Sequence, residues 1–217
     1  MVNRAFSSIA NRVEALAPQV PRPTTLEHIR LAARLACEKT LAWRYVPAKV
    51  DLTPGVYEYA FDVPTTSEVE HMYGFSINGK PLDLINMDVA IARYPEWADL
   101  FSGVDLDDVW DETSGGYLGA SEYNEALFNG GGGFVMPDAV VANASRPKAI
   151  TMVSPQRYVV LPLPDDEETY SARMWLALKP LRTATEIDEQ AFNELEDLFV
   201  WGALETLFSM PGKEWTN

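Results

Sequence analysis

The densest group of side chains able to do chemistry is Asp105, Asp107, Asp108, Asp111 and Glu112. Carboxylate oxygens packed this closely along a chain suit a hard cation. A calcium loop, however, needs Gly at its sixth position, and here that position is Trp110, so the group reads as a solvated acidic loop. Glycoside hydrolysis needs two carboxyl groups facing one bond, and nothing singles out one pair among 32 acidic residues. His28 stands beside Glu27 and His71 beside Glu70, neither in a zinc-protease spacing, so both read as structural or surface histidines. Cys37 is the lone cysteine. It excludes an internal disulfide and a cysteine-based zinc site, and it falls on an apolar helix stripe as a small core residue. Gly130 to Gly133 are followed by Phe134-Val135 rather than Lys-Ser/Thr, so they form no phosphate loop, and the third glycine of a dinucleotide fingerprint would fall on Val135. The six tryptophans are explained by core and interface packing more economically than by a sugar site. No catalytic residue, metal ligand or cofactor is therefore expected.

The chain that carries these residues has 217 of them, 47% hydrophobic and 23% charged, enough for a real core. Its charge of −15 is unevenly placed. Residues 1–50 hold eight basic against three acidic side chains, a balance of +5, which leaves −20 for the remainder. No Lys or Arg occurs between Arg93 and Arg146. Nucleic-acid affinity needs clustered cations, so tight DNA binding by the acidic body is disfavoured. No apolar run is long enough to span a membrane. Met1 to Ala10 holds Arg4 but no apolar core, which argues against a secretory signal.

The elements follow from periodicity. Ala5 to Leu16 suits a short helix, and Pro18, Pro21 and Pro23 then suit an extended linker. Thr24 to Glu27 has the form of a capping box, and Leu26, Ile29, Ala33, Ala36, Cys37 and Thr40 recur at helical spacing, which predicts a helix to about Trp43. Arg30 and Arg34 lie one turn apart beside that stripe. Pro47 closes the segment. A period of two then predicts strands over 56–63 and 69–77, with a tight turn at Asn78-Gly79. An apolar stretch, Leu84 to Ala92, follows. Strands over 149–153, 158–163 and 170–178 read as an antiparallel meander. Residues 94–145, rich in Gly, Asp and aromatic residues, read as a long insertion. Asp188 is the expected N-cap of a last helix whose face holds Phe192, Leu195, Phe199, Gly202, Ala203 and Met210, ended by Pro211-Gly212.

Three segments taken together resemble a known family. They are Cys37-Glu38-Lys39-Thr40-Leu41-Ala42-Trp43-Arg44, then Ala177-Leu178-Lys179-Pro180-Leu181-Arg182-Thr183-Ala184-Thr185, then Gly202-Ala203-Leu204-Glu205-Thr206-Leu207 with the ending Met210 to Asn217. In this order they resemble the head-to-tail adaptor (connector or neck) proteins of tailed bacteriophages. Gly55 to Leu82 and Leu161-Pro162-Leu163-Pro164 look similar to that family as well. The resemblance covers roughly 24–92 and 146–217, and 94–145 carries little of it.

The resemblance implies an α+β fold in which N-terminal and C-terminal helices form a helical bundle with an inserted antiparallel β-rich domain. The corresponding divisions are an N-terminal arm and helix over 1–46, the β-rich domain over 47–186, and the C-terminal helix and tail over 187–217 packing with the N-terminal helix. It implies a structural, non-enzymatic virion protein of the neck, present in the host cytoplasm during assembly. Such a protein forms a ring, commonly of about twelve copies, beneath the portal protein and docks a downstream tail, nozzle or fibre protein, each ring contact joining unlike patches. DNA passes through the channel without specific binding, and no membrane is involved. Arg30, Arg34, Arg44, Met210, Lys213 and Trp215 are the expected portal or inter-subunit contacts. Trp97, Trp110 and Phe128 are the expected tail-docking or neighbour contacts. Another tail component, of the tail-completion or nozzle-associated kind, is the alternative, and a virion glycan hydrolase using Asp105 to Asp111 is the remaining one.

Overall fold

The computed structural model describes residues 2–95, 110–111, 116–117, 144–213 and 215. The chain opens with strand β1 (Asn3–Ala5), helix α1 (Ser7–Leu16) and helix α2 (Arg22–Thr40). Short strands β2 (Arg44–Tyr45), β3 (Val50–Leu52) and β4 (Glu58–Ala60) lead to the long β5 (Ser67–Ile77). Then come β6 (Lys80–Pro81), β7 (Asp83–Leu84) and helix α3 (Met87–Arg93). A small ribbon pairs β8 (Trp110–Asp111) with β9 (Gly116–Tyr117). The last part holds β10 (Ala149–Ser154), β11 (Arg157–Leu161), β12 (Tyr170–Pro180), β13 (Glu186–Asp188) and helix α4 (Glu189–Phe208).

The class is α+β, but a helical bundle carrying an inserted β-domain does not form. Thirteen strands accompany the four helices among the described residues, and α2 lies against β12 as well as against α4. One continuous core joins Ile29, Ala33 and Cys37 of α2 and Phe199 and Ala203 of α4 to Met72, Phe75, Leu176 and Leu178 of the sheet. The reason is geometric. The sheet is apolar on one face, the helices on one stripe, and each covers the other.

Two sheets position everything else. The larger has the order β2-β12-β5-β6, with β3 also on β12. Its centre is the antiparallel β5–β12 pair, running from Ala172 opposite Ile77 to Pro180 opposite Ser67, with two bulges. The other has the order β4-β11-β10-β7, in which β7 runs parallel to β10. Its strand β11 is buried on both faces: Tyr158 and Val160 enter the main core, whereas Val159 and Leu161 pack with Ala90 of α3 in a smaller one. The expected meander over 149–178 is therefore corrected. Only β10 and β11 form a hairpin, and β12 crosses to the larger sheet, where Ala172, Met174, Leu176 and Leu178 complete its buried face.

Several local expectations also shift. α2 starts at Arg22, two residues before the supposed cap, with Pro21 at the N-cap position and no side-chain cap bond. Pro23 sits in the first turn, where a missing N–H costs nothing. The stretch 84–92 divides into β7 and α3, because the Asn86 side chain accepts the Val89 N–H at 2.8 Å and caps a helix there. Of 56–63 only Glu58–Ala60 pairs, with β11. Asn78 and Gly79 adopt φ of 50° and 78° and make the tight turn from β5 to β6 as expected. α4 begins where expected, the Asp188 carboxylate accepting from the N–H groups of Gln190 and Ala191. It ends at Phe208, so Met210 packs on the core from beyond the helix.

Candidate interaction surface

Two of the expected contact residues, Arg30 and Arg34, lie on the helix pair, and Arg44, Met210, Lys213 and Trp215 follow its helices in the chain. α2 and α4 run antiparallel, with His28 level with Thr206 and Ala32 level with Gly202. A methyl added at Gly202 would stand 3.1 Å from the Ala32 Cβ, so glycine is what lets the backbones come this close.

The expected contacts among Arg30, Arg34, Arg44, Met210, Lys213 and Trp215 take four different placements. Arg34 is turned inward: it pairs with Glu68 of β5 and donates to the Pro180 carbonyl at 2.9 Å. Arg44 is exposed and holds its guanidinium 5.9 Å from the Tyr73 ring centroid. Arg30 is half-buried, its Nε buried without a hydrogen-bond partner among the described residues, beside a shallow groove of about 370 Å³ shared with Arg22, Pro23 and Leu26. At the far end of α4, Met210 and Trp215 are half-buried against the main core, with the Lys213 ammonium 5.8 Å from the indole centroid. The antiparallel pairing brings this last group to the end of the pair where α2 begins and leaves Arg44 beyond the other end, with Arg30 and Arg34 one turn apart in the middle of α2. Trp97 and Phe128 lie outside the described residues. Trp110 is placed only as backbone, in β8.

Sequence reasoning missed the outer face of the pair. Leu31 and Leu35 on α2 are 48% and 50% exposed, and Leu198 and Trp201 on α4 are 49% and 63% exposed. Spacings of four and three residues put each couple on one side of its helix. The antiparallel register sets Leu35 level with Leu198 and Leu31 close to the level of Trp201. Carboxylates edge this face: Glu27 and Glu38 on α2, Glu194 and Glu205 on α4. A signal did exist. The segment Leu198 to Leu207 is apolar nearly all round, more than one buried stripe requires.

Among the described residues several polar groups pair with one another. Lys179 reaches Glu70, Glu68 and Glu38, joining β12 to β5 and to the end of α2. Cys37 is fully buried, and burial pushes its thiol up to about 12. His28 Nδ1 meets Thr206 Oγ1, and His71 lies edge-on to Tyr73 on the sheet. Among the described residues no group of three His, Cys, Asp or Glu side chains could hold a metal ion. Asp105 to Asp108 and Glu112 lie outside those residues. Among the described residues no helix is long and apolar enough to cross a membrane. Compared with protein-family models and with curated proteins, the chain finds no match.

Proposed function

We propose that this chain is a structural virion protein, a head-to-tail adaptor that assembles as a ring under the portal and docks the next neck or tail component. The observation that carries the reading is the exposed apolar face of Leu31, Leu35, Leu198 and Trp201 with its carboxylate edge. Apolar patches edged by polar groups serve contacts between proteins, and a large aromatic near the centre is the usual anchor. The segment resemblance supports the same reading, and so does the absence of any recognisable catalytic motif in the sequence. A ring of unlike patches gains from a chain that is +5 in residues 1–50 and −20 elsewhere, because complementary fields fix orientation. The acidic body favours a conduit that repels DNA phosphates and lets a duplex slide.

The test is assembly. Purified chain is mixed with portal protein and followed by sedimentation and electron microscopy, alongside Trp201→Glu and Leu35→Glu. The expected result is rings on the portal for the wild type and their loss in both variants, with unchanged circular dichroism. Absence of the protein from the virion neck, or assembly indifferent to both substitutions, would refute the reading.

A further inference from the structure

A second surface, on the sheet rather than the helices, reverses the charge of the molecule locally. Trp175 of β12 stands opposite Gly74 of β5 in the register. A methyl at Gly74 would come 3.4 Å from the indole Cε3, so the indole packs beside a backbone position that carries no side chain. Arg173, on the same strand face, holds its guanidinium 5.5 Å from that indole centroid, just as Arg44 does over Tyr73. Beside them runs an open groove of about 600 Å³, with Lys49 and Arg173 at its polar side and Leu82 and Leu84 at its apolar side.

The chain has 32 acidic against 17 basic residues, yet among the described residues no carboxylate lines this groove. Arg44, Lys49 and Arg173 make no ion pair among the described residues. The neighbouring acids are Asp51, in register with Ser171, and Asp83, which pairs with Arg93 at 3.7 Å. A guanidinium held over an aromatic ring can still present its N–H edge to a carboxylate, in position for two parallel bonds. Trp175 has a strand on one side and Arg173 over its ring, which leaves little free π-face for a nucleobase. A net charge of −15 also repels a polynucleotide more than it repels a short peptide.

We infer that this groove binds an acidic, partly apolar peptide segment of a partner protein. Carboxylates of the segment meet Arg173 and Lys49, while its apolar side chains lie along Leu82, Leu84 and Trp175. The inference uses none of the helix-face residues, so it stands whether or not the chain assembles as a ring.

The test uses the full chain and fluorescent probes read by anisotropy: a short peptide alternating Asp and Leu, its Asn-Leu counterpart, and oligo-deoxythymidylate. The expected result is binding of the Asp-Leu peptide that weakens with added salt, with affinity falling about tenfold in Lys49→Gln/Arg173→Gln. These exposed substitutions leave the circular dichroism unchanged, and Trp175→Leu weakens the same peptide without altering its salt dependence. Equal affinity for the Asn-Leu peptide, tighter binding of the oligonucleotide, unchanged affinity in the double variant, or no binding of the Asp-Leu peptide would each overturn the inference.

Discussion

His28 Nδ1 lies 2.8 Å from Thr206 Oγ1, bridging α2 and α4 where their backbones approach closely. Thr206 also reaches the carbonyls of Gly202 and Ala203, at 3.1 and 2.9 Å. Its one hydroxyl proton goes to the helix backbone, so the imidazole donates from Nδ1. One turn away Gly202 meets Ala32, so the hydrogen bond and the close contact fix the same register.

That register yields a pair of opposite outcomes. Gly202→Leu forces a side chain into a 3.1 Å gap and is expected to cost about 1–3 kcal/mol in urea denaturation. Gly202→Ala adds helix propensity worth up to about 1 kcal/mol against a mild squeeze, so it is expected within about 1 kcal/mol of the wild type. Equal stability of the leucine and alanine variants would mean that the helices are not held this close.

Lys179 makes a sharper case, because three carboxylates converge on it and only 13% of its side chain is exposed. Lys179→Met removes the cation and leaves Glu70 and Glu68 beside each other, with Arg34 still paired to Glu68. A half-shielded network of this kind is expected to lose about 1–3 kcal/mol, less than a fully buried pair. Lys179→Met with Glu70→Gln should recover part of that loss, since the remaining like charges are fewer. A double variant less stable than Lys179→Met would contradict the assigned pairing.

How far the sequence could be read depends on the range of the interaction. Asp188, Asn78-Gly79 and the burial of Cys37 were legible, because a cap, a tight turn and a helix stripe are decided by residues a few positions apart. The Thr24–Glu27 box was not, because Pro21 and Pro23 let the helix begin earlier and made the cap redundant. Strand partners were the least legible. β1 pairs with β13 across nearly the whole chain, and β12 carries the same alternation whichever sheet receives it. The outer helix face and the basic groove are of that kind too: each is assembled from residues of several elements that only the tertiary fold brings together.

Cys37 offers a chemical check on the core. Its thiol is fully buried between α2 and the sheet, and burial alone raises it to about 12. A thiolate is the reactive form, so alkylation by iodoacetamide at neutral pH is expected to be negligible in the folded chain and complete in denaturant. The exchange rate then reports opening of the helix layer, and Gly202→Leu should raise it. Prompt alkylation of the folded wild type would place Cys37 elsewhere.

The aromatic cluster of β4, β5 and β11 shares the alkaline limit with the Cys37 thiol, raised by burial, and the Tyr170 phenol, raised by burial and its bond to Asp165. Tyr158 stacks on Tyr59 at 5.5 Å and touches Phe61 and Phe75, with its hydroxyl buried and without a hydrogen-bond partner among the described residues. Burial raises both phenols; Tyr59 is pushed up to about 12, and the nearby Tyr59 adds to the rise at Tyr158. A phenol that holds its proton more tightly when folded contributes stability in full below its ordinary value near 10. That contribution is lost as pH rises through the folded value. Stability is therefore expected to be flat in neutral solution and to weaken from about 9, where the unfolded Cys37 thiol ionises, up to about 12, with ionisation of the buried phenols coincident with unfolding. Tyr158→Phe removes an unsatisfied hydroxyl while keeping the ring, so at neutral pH it is expected within about 1 kcal/mol of the wild type or above it. It should also make the alkaline decline shallower, because one of the two coupled phenols is gone. A loss above about 2 kcal/mol at neutral pH would show that the hydroxyl has a partner.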